Sequence, residues 1–580
     1  MPIVTRHILI TFLVYALFST AVLAQPKVTI DIVGVDSILE TNIRLFLSIE
    51  QQKDSELLTP AQLRRLHRKA NREITAALEP YGYYQPQIET NLVDEGQDRW
   101  RATYHIVPGA PVVIESFEFT LEGDALGDPA FDTLIKSDKP QVGMTFSHLE
   151  YESFKSSLGQ LATERGYFAA NFVRHRVEID RVTNVAYIYL DYDSGPRYRF
   201  GELRLDQETI DDELLRRYAT FKPGDPYSLD LLLEFQQALN NTRYFQSVEV
   251  APDSTIADSN EIPIRVKLAP RNRHHYKLGL GYGTDTGARA KFGWQVPLIN
   301  PSGHHFDSEI GVSEIGHKIF GNYRIPVLNP RTDQLVFSAG EEEEEFETGT
   351  STKRSLGVSL NHGRGKWRET LSLEYQDEDF TIDNEDKNSI LLLPGVSWNR
   401  IWGREFINVL DGVRFDFAVR GADTDLASDT DFMQYGFKLK FITPLGRRDR
   451  IILRGSAATI ETDDFEDIPS SIRYYAGGAS SVRGYAYQSL GPTDDDGDAI
   501  GAQRLLVGSI EYEHYFNDRW GMALFFDAGN AIDKFDDDLE QGAGFGLRWK
   551  SVVGPVRIDL ANAISDDEDW RLHINIGPDL

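Results

Sequence analysis

Cysteine is absent from this sequence, and methionine is reduced to four residues in 580. Without thiols there is no disulfide, no thiolate metal site and no Cys nucleophile, so the fold has to stand on packing and strand pairing. Positive charge is short as well: 60 Lys and Arg face 90 Asp and Glu, for a net charge of −30 and a pI near 4.9. Such a field repels polyanions and leaves no basic stripe to track phosphates, which excludes nucleic acid as a partner. Long apolar runs are missing too. Beyond the first two dozen residues, no stretch reaches the ~18 apolar residues of a spanning helix, so any later membrane passage has to use strands. A mean hydropathy of −0.36 does not argue against that, because a barrel alternates lipid-facing with lumen-facing residues. No G-x-S-x-G elbow occurs, and Gly279-x-Gly281-x-Gly283 lacks the third spacing of a dinucleotide fingerprint. Neither catalysis nor a cofactor is expected.

What is present starts with a targeting pattern. Arg6 and His7 precede an apolar stretch from Ile8 to Phe18, and Val22-Leu23-Ala24 stands before Gln25. This is the layout of a secretory signal occupying residues 1–24, with a membrane anchor as the alternative. Three repeats follow. Tyr83-Tyr84, Tyr167-Phe168 and Tyr244-Phe245 stand roughly 80 residues apart, each after a helical pattern and before an alternating strand. Leu63, Leu66, Ala70, Ile74 and Ala77 step by three and four; so do Tyr151, Phe154, Leu158 and Leu161, and then Leu232, Phe235 and Leu239. Thr59-Pro60 reads as an N-cap with proline in the first turn, Ser147 with Glu150 as a capping box, and a further helix is expected from Asp211 to Tyr218. Each repeat is expected to be a small α+β domain of strand, helix, helix, strand, strand, with limits at 25–111, 112–196 and 197–271.

From about residue 272 the pattern becomes period two. Tyr276, Leu278, Leu280 and Tyr282 alternate with Lys277 and three glycines, and Val413, Phe415, Phe417 and Val419 alternate with Arg414, Asp416, Ala418 and Arg420. One face is apolar and the other polar or charged, as suits lipid outside and a wet lumen inside. About sixteen such segments fill 272–580, an even number as bacterial barrels require, which predicts an all-β, sixteen-stranded antiparallel transmembrane β-barrel. A soluble sandwich or propeller is the alternative.

Between the segments ending near Thr459 and beginning near Gln503 lies an unusually long connection containing Ala476-Gly477-Gly478-Ala479-Ser480-Ser481-Val482-Arg483-Gly484-Tyr485. At this point the chain resembles the outer-membrane insertase superfamily, whose sixth extracellular loop carries V-R-G-[FY]. Phe525-Phe526-Asp527-Ala528-Gly529 resembles that family's F-x-D-x-G strand, and Gly546 to Ala561 its late hairpin, with Val552 where proline is common. The resemblance implies that the repeats are POTRA domains. Three of them point to the translocation-and-assembly-module branch, and so to autotransporter and other outer-membrane client proteins, outer-membrane lipids as surroundings, and an inner-membrane-anchored, periplasm-spanning partner subunit. Dedicated secretion channels and lipid-handling scaffolds are the rival functions. An Arg folded into a lumen needs a carboxylate, and Asp527 has the polar-facing parity of its strand, so Val482, Arg483, Gly484 and Tyr485 are expected to work with Phe525, Asp527 and Gly529.

The first and last barrel strands carry a second expectation. Gly279, Gly281 and Gly283 leave the first strand short of lumen-side packing, and Gly577-Pro578 ends the last strand with a lost ladder donor, near Tyr276 of the first. A weak seam that opens sideways is one reading; glycines that make room for the long loop are the other. His274-His275 and His304-His305 do not suggest metal, since strand neighbours point to opposite faces. The run Glu341 to Glu345 is expected in a solvated outer loop, and Asp494 to Asp498 in a turn.

Overall fold

The computed structural model describes residues 26–253, 260–346, 348–382, 385–403, 411–551, 554–565 and 570–576. The proposed signal segment, Val552, Gly577 and Pro578 lie outside them. The chain divides into two compact units, residues 1–202 with 221–230 and 253–263, and residues 203–220 with 231–252 and 264–580.

The first unit contains two complete repeats. In the first, β1 (Lys27–Val33) precedes α1 (Ser37–Phe46), α2 (Ser48–Gln52) and α3 (Pro60–Leu78), and β2 (Gln87–Gly96) and β3 (Arg99–Val107) complete a sheet of order β1-β3-β2. Helix α3 starts where Thr59 accepts the Gln62 N–H and Gln62 reaches back to the Thr59 N–H, a full capping box ahead of Pro60. Its Leu63, Leu66, Ala70, Ile74 and Ala77 are buried against Trp100, Ala102, Tyr104 and Ile106 of β3, the inward residues of an alternating strand. The second repeat repeats the plan with β4 (Val113–Glu122), α4 (Pro129–Asp138), α5 (His148–Arg165), β5 (Asn171–Asp180) and β6 (Val185–Asp193), in order β4-β6-β5. Here the capping box expected at Ser147 is half made: Ser147 Oγ accepts the Glu150 N–H. Phe154 and Leu158 pack on Ile188 and Leu190.

The third repeat gives β7 (Arg199–Asp206), α6 (Asp212–Arg216), α7 (Leu229–Asn241), β8 (Phe245–Pro252) and β9 (Glu261–Pro270), again with the last strand in the middle of the sheet. Within the second unit, Tyr244 Oη donates to the Gly303 carbonyl at 2.8 Å and the Asp211 N–H to the Pro301 carbonyl at 2.9 Å, so this repeat is fastened to a barrel turn.

The barrel consists of β10 (His275–Gly283), β11 (Gly287–Val296), β12 (His305–Ser313), β13 (Gly316–Pro326), β14 (Gln334–Phe346), β15 (Gly349–Arg364), β16 (Trp367–Ile382), β17 (Glu385–Gly403), β18 (Gly412–Ala422), β19 (Phe432–Pro444), β20 (Asp449–Glu461), β21 (Arg504–Tyr515), β22 (Trp520–Ile532), β23 (Glu540–Ser551), β24 (Gly554–Ala563) and β25 (Arg571–Ile576). All sixteen pair antiparallel in chain order. The outward residues are apolar and exposed, among them Leu278, Leu280, Leu371, Leu524 and Phe545. Glu341 to Glu345 do not form a loop; they lie inside β14, because β13 and β15 supply Lys318, Lys353 and Arg354 as cross-strand partners. Asp494 closes a turn by accepting the N–H groups of Asp496 and Asp498.

Candidate functional site

Residues 462–503 connect β20 to β21 and fold back into the lumen. Val482, Tyr485, Ala476 and Leu490 of this loop are buried with Ala531 and Ala563 of the barrel wall, which sets the depth at which the next side chain sits. That side chain is Arg483, 2% exposed. Its Nε and Nη2 donate to the two oxygens of Asp527 at 2.7 and 2.9 Å, and its own N–H reaches the same carboxylate at 3.2 Å. Nη1 is shared by Glu511 at 2.8 Å and Asp559 at 3.1 Å, and the guanidinium lies over the Phe525 ring, 3.4 Å from its centre. Inward alternation explains the set: Phe525, Asp527 and Gly529 share one face of β22, while Leu524 and Phe526 face outward.

The cluster extends beyond the motif. Arg548 bonds Glu511, Glu513 and Asp559 at 2.8, 2.9 and 2.5 Å, Arg450 meets Glu513 at 2.6 Å, and Arg454 stands 3.8 Å from Asp527. Four arginines and four carboxylates from β20 to β24 and the loop thus form one continuous ion-pair chain. Each carboxylate is bridged, so the cost of desolvating the charges is offset by close pairing.

Glycines at this site are backbone requirements. Gly484 has φ +107, and a Cβ there would meet Asn562 and Ala563 backbone at 2.9 Å. A Cβ on Gly529 would meet the Leu506 carbonyl at 2.5 Å, and one on Gly542 would overlap the Arg483 carbonyl.

Sequence reasoning missed the other tethers of the loop. Arg473 donates to the carbonyls of Phe465, Glu466, Ile468 and Ile500. Glu378, fully buried on β16, accepts from Ser351, Gln376, the Ser471 N–H and the Ser471 hydroxyl. Glu344 takes Tyr487 at 3.2 Å. The signal was present in parity, since Glu378 and Glu344 are inward on their strands, but nothing in the sequence says which inward carboxylate meets the loop.

The same loop touches both ends of the sheet. The Gly484 N–H donates to His573 Nε2 of β25 at 3.0 Å, and the Ala479 N–H to Asp285, just past β10, at 3.0 Å. His573 Nδ1 faces Asp285 at 3.8 Å, and the Ile574 N–H meets Thr284 Oγ1 at 3.3 Å. No ladder joins β10 to β25 among the described residues; these strands are the two ends of the strand order. Gly279, Gly281 and Gly283 have Lys291, Arg289, Thr286 and Ile574 as the nearest neighbours of an added Cβ, and no atom of the long loop. The seam contacts lie at Thr284 and Asp285, past the end of β10 opposite Tyr276.

Residues 344–579 match the Omp85 superfamily domain, residues 29–108 the model described as POTRA domain TamA domain 1, and residues 198–271 the surface antigen variable number repeat, a POTRA model. The barrel is of the Omp85 superfamily and the arm is built of POTRA domains. Among curated proteins, the chain is 24% identical over 394 residues to the outer membrane protein assembly factor BamA of Nitratidesulfovibrio vulgaris, covering 63% of this chain and 48% of that one. It is 21% identical over 446 residues to BamA of Neorickettsia risticii, covering 70% and 58%. The chain therefore spans about half the length of the curated relatives it matches. The crystal structure of Haemophilus ducreyi BamA lacking POTRA domains 1–3 superposes with a TM-score of 0.68 at 17% identity, covering 80% of this chain and 99% of that one. The Omp85 barrel lies in the outer membrane, with the POTRA arm in the periplasm.

Proposed function

We propose that this chain is an outer-membrane protein assembly and translocation factor of the TamA type, which assists insertion or secretion of autotransporter-like clients through the seam between β10 and β25. The match of residues 29–108 to the model described as POTRA domain TamA domain 1 supports the TamA reading. That reading carries with it an inner-membrane-anchored, periplasm-spanning, TamB-like partner, and domain limits of 25–111, 112–196 and 197–271 for the arm and 272–580 for the barrel.

The observation that carries the proposal is the seam itself. Among the described residues every other neighbouring pair of barrel strands has a ladder, whereas β10 and β25 meet through side chains and through a loop that holds Asp285 and His573. An unlatched edge of main-chain donors and acceptors is a template for an incoming strand. In this account Val482, Arg483, Gly484 and Tyr485, with Phe525, Asp527 and Gly529, hold the loop in place, and Gly279, Gly281 and Gly283 keep the first strand pliable; Gly577 and Pro578 remain assigned to the seam from sequence alone. The test places a photo-crosslinking residue at Leu280, at Leu572, or at Leu371 on the far wall, and follows an autotransporter barrel during assembly. Client adducts at the first two positions and not at the third are expected. Equal yields at all three would remove the seam from the mechanism.

A further inference from the structure

The lipid-facing surface carries one cation whose partner is not in the described chain. Trp398, Arg400 and Trp402 follow one another on the outward parity of β17. The register sets Arg400 opposite Phe415 on β18 and one step beyond the Arg368–Asn399 pair, beside Trp367. The Arg400 guanidinium lies 4.0 Å from the Trp402 ring centre and 5.3 Å from that of Trp367, and Trp367 meets Phe415 edge-on at 5.4 Å. Glu369, on the same face, is already engaged: one oxygen accepts the Trp398 indole N–H at 2.8 Å and the other takes Arg364 at 3.2 Å. Arg400 has no ion pair among the described residues, and its Nε–H is buried without an acceptor.

The location narrows what supplies the acceptor. Arg364 closes β15 and Arg400 stands near the end of β17, at the end of the barrel where the chain enters β10, which is the periplasmic end. A buried donor without an acceptor is costly, and a cation facing lipid more so. At that depth the available acceptors are headgroup phosphates, whose geometry a planar guanidinium matches in a fork, while indole rings suit the interface between headgroup and acyl chain.

We infer that Arg400, with Arg364 beside it, binds the phosphate of a phospholipid in the periplasmic leaflet, seated against Trp367, Trp402 and Phe415. Arg364 is two-thirds exposed and free to turn from Glu369 to the same phosphate. The site is independent of the seam and of the client reading.

The test is native mass spectrometry of the full chain in detergent with three probes: phosphatidylglycerol, diacylglycerol of the same acyl chains, and inorganic phosphate as competitor. Arg400→Gln is compared with Arg354→Gln, which alters an outward arginine paired to Glu341 toward the other end of the strands. Retention of phosphatidylglycerol over diacylglycerol is expected, with a loss of about fivefold in Arg400→Gln, the equivalent of one arginine–headgroup attraction, and none in Arg354→Gln. Equal retention of the two lipids, unchanged retention in Arg400→Gln, or equal losses in both variants would overturn the site. Full displacement by inorganic phosphate at matching concentration would make it a bare anion site and would also overturn it. The comparison of the two lipids on the unmodified chain holds even if a variant fails to assemble.

Discussion

Arg483 and Asp527, forty-four positions apart, are joined by two side-chain hydrogen bonds of 2.7 and 2.9 Å inside the barrel, with Asp527 fully buried. Removing one member of such a pair leaves an uncompensated charge at a cost of about 3–5 kcal/mol. Arg483→Ala is therefore expected to release the loop while the barrel, whose ladders do not involve it, stays inserted. Retained heat-modifiable migration on gels, with new protease cleavage within 462–503, checks this. In a double-mutant cycle with Asp527→Ala the effects should be non-additive by more than 1 kcal/mol or so; additivity would mean the pair is not coupled in solution.

Gly542 separates shape from charge at the same place. A methyl group there overlaps the Arg483 carbonyl, so Gly542→Ala should dislodge the loop with every charged group intact. Gly279→Ala is the contrast, since its methyl would meet only Lys291 Cβ at 3.8 Å. The expected outcome is loop proteolysis in the first variant and the native digestion pattern in the second.

The arm should weaken in acid. Burial holds His67 and His148 below the usual 6.5, His148 with its Nε2 2.6 Å from the Tyr84 hydroxyl. For Asp128, burial pushes its carboxyl up, but Arg165, the Ala130 N–H and Tyr167 outweigh it and leave the group below its ordinary value. In all three cases the folded state binds fewer protons than the unfolded one. The stability they contribute is complete above the unfolded pKa and is lost as pH falls, near 6.5 and below for the histidines and below about 4 for Asp128. Protection factors in the second repeat, which are exchange rates corrected for the base-catalysed intrinsic rate, should fall between pH 7.5 and 5.5, less so in His148→Gln. A flat profile would contradict the assignment.

Deleting residues 25–111 should abolish co-purification of the periplasm-spanning partner while leaving the barrel in the outer membrane. Undiminished recovery of the partner from the truncated chain would place its docking elsewhere.

Period and spacing carried the architecture because they report on faces. Leu63 through Ala77 could only be one side of a helix, and Tyr276 through Tyr282 one side of a strand. Arg483 and Asp527 were legible for a related reason: a buried cation needs an anion, and parity put Asp527 inward. Parity could not say that Arg548, Arg450 and Glu513 would join the same chain of ion pairs, or that Glu378 would hold Ser471, because those meetings depend on strand register. Register also moved the glutamate run of β14 from an expected loop into the sheet, where Lys318 and Lys353 neutralise what looked like a solvated stretch.

The central claim is that the seam opens to work, and the absence of native cysteine makes it directly testable. Cysteine pairs drawn from Gly283 or Thr284 and from Ile574 or Asn575 would bridge the site where Thr284 meets Ile574. Client assembly is then compared in oxidised and reduced protein. The account predicts that each pair that oxidises efficiently blocks assembly and that reduction restores it. Assembly at the reduced level in every oxidised pair would contradict it, and would make the barrel a fixed channel or scaffold.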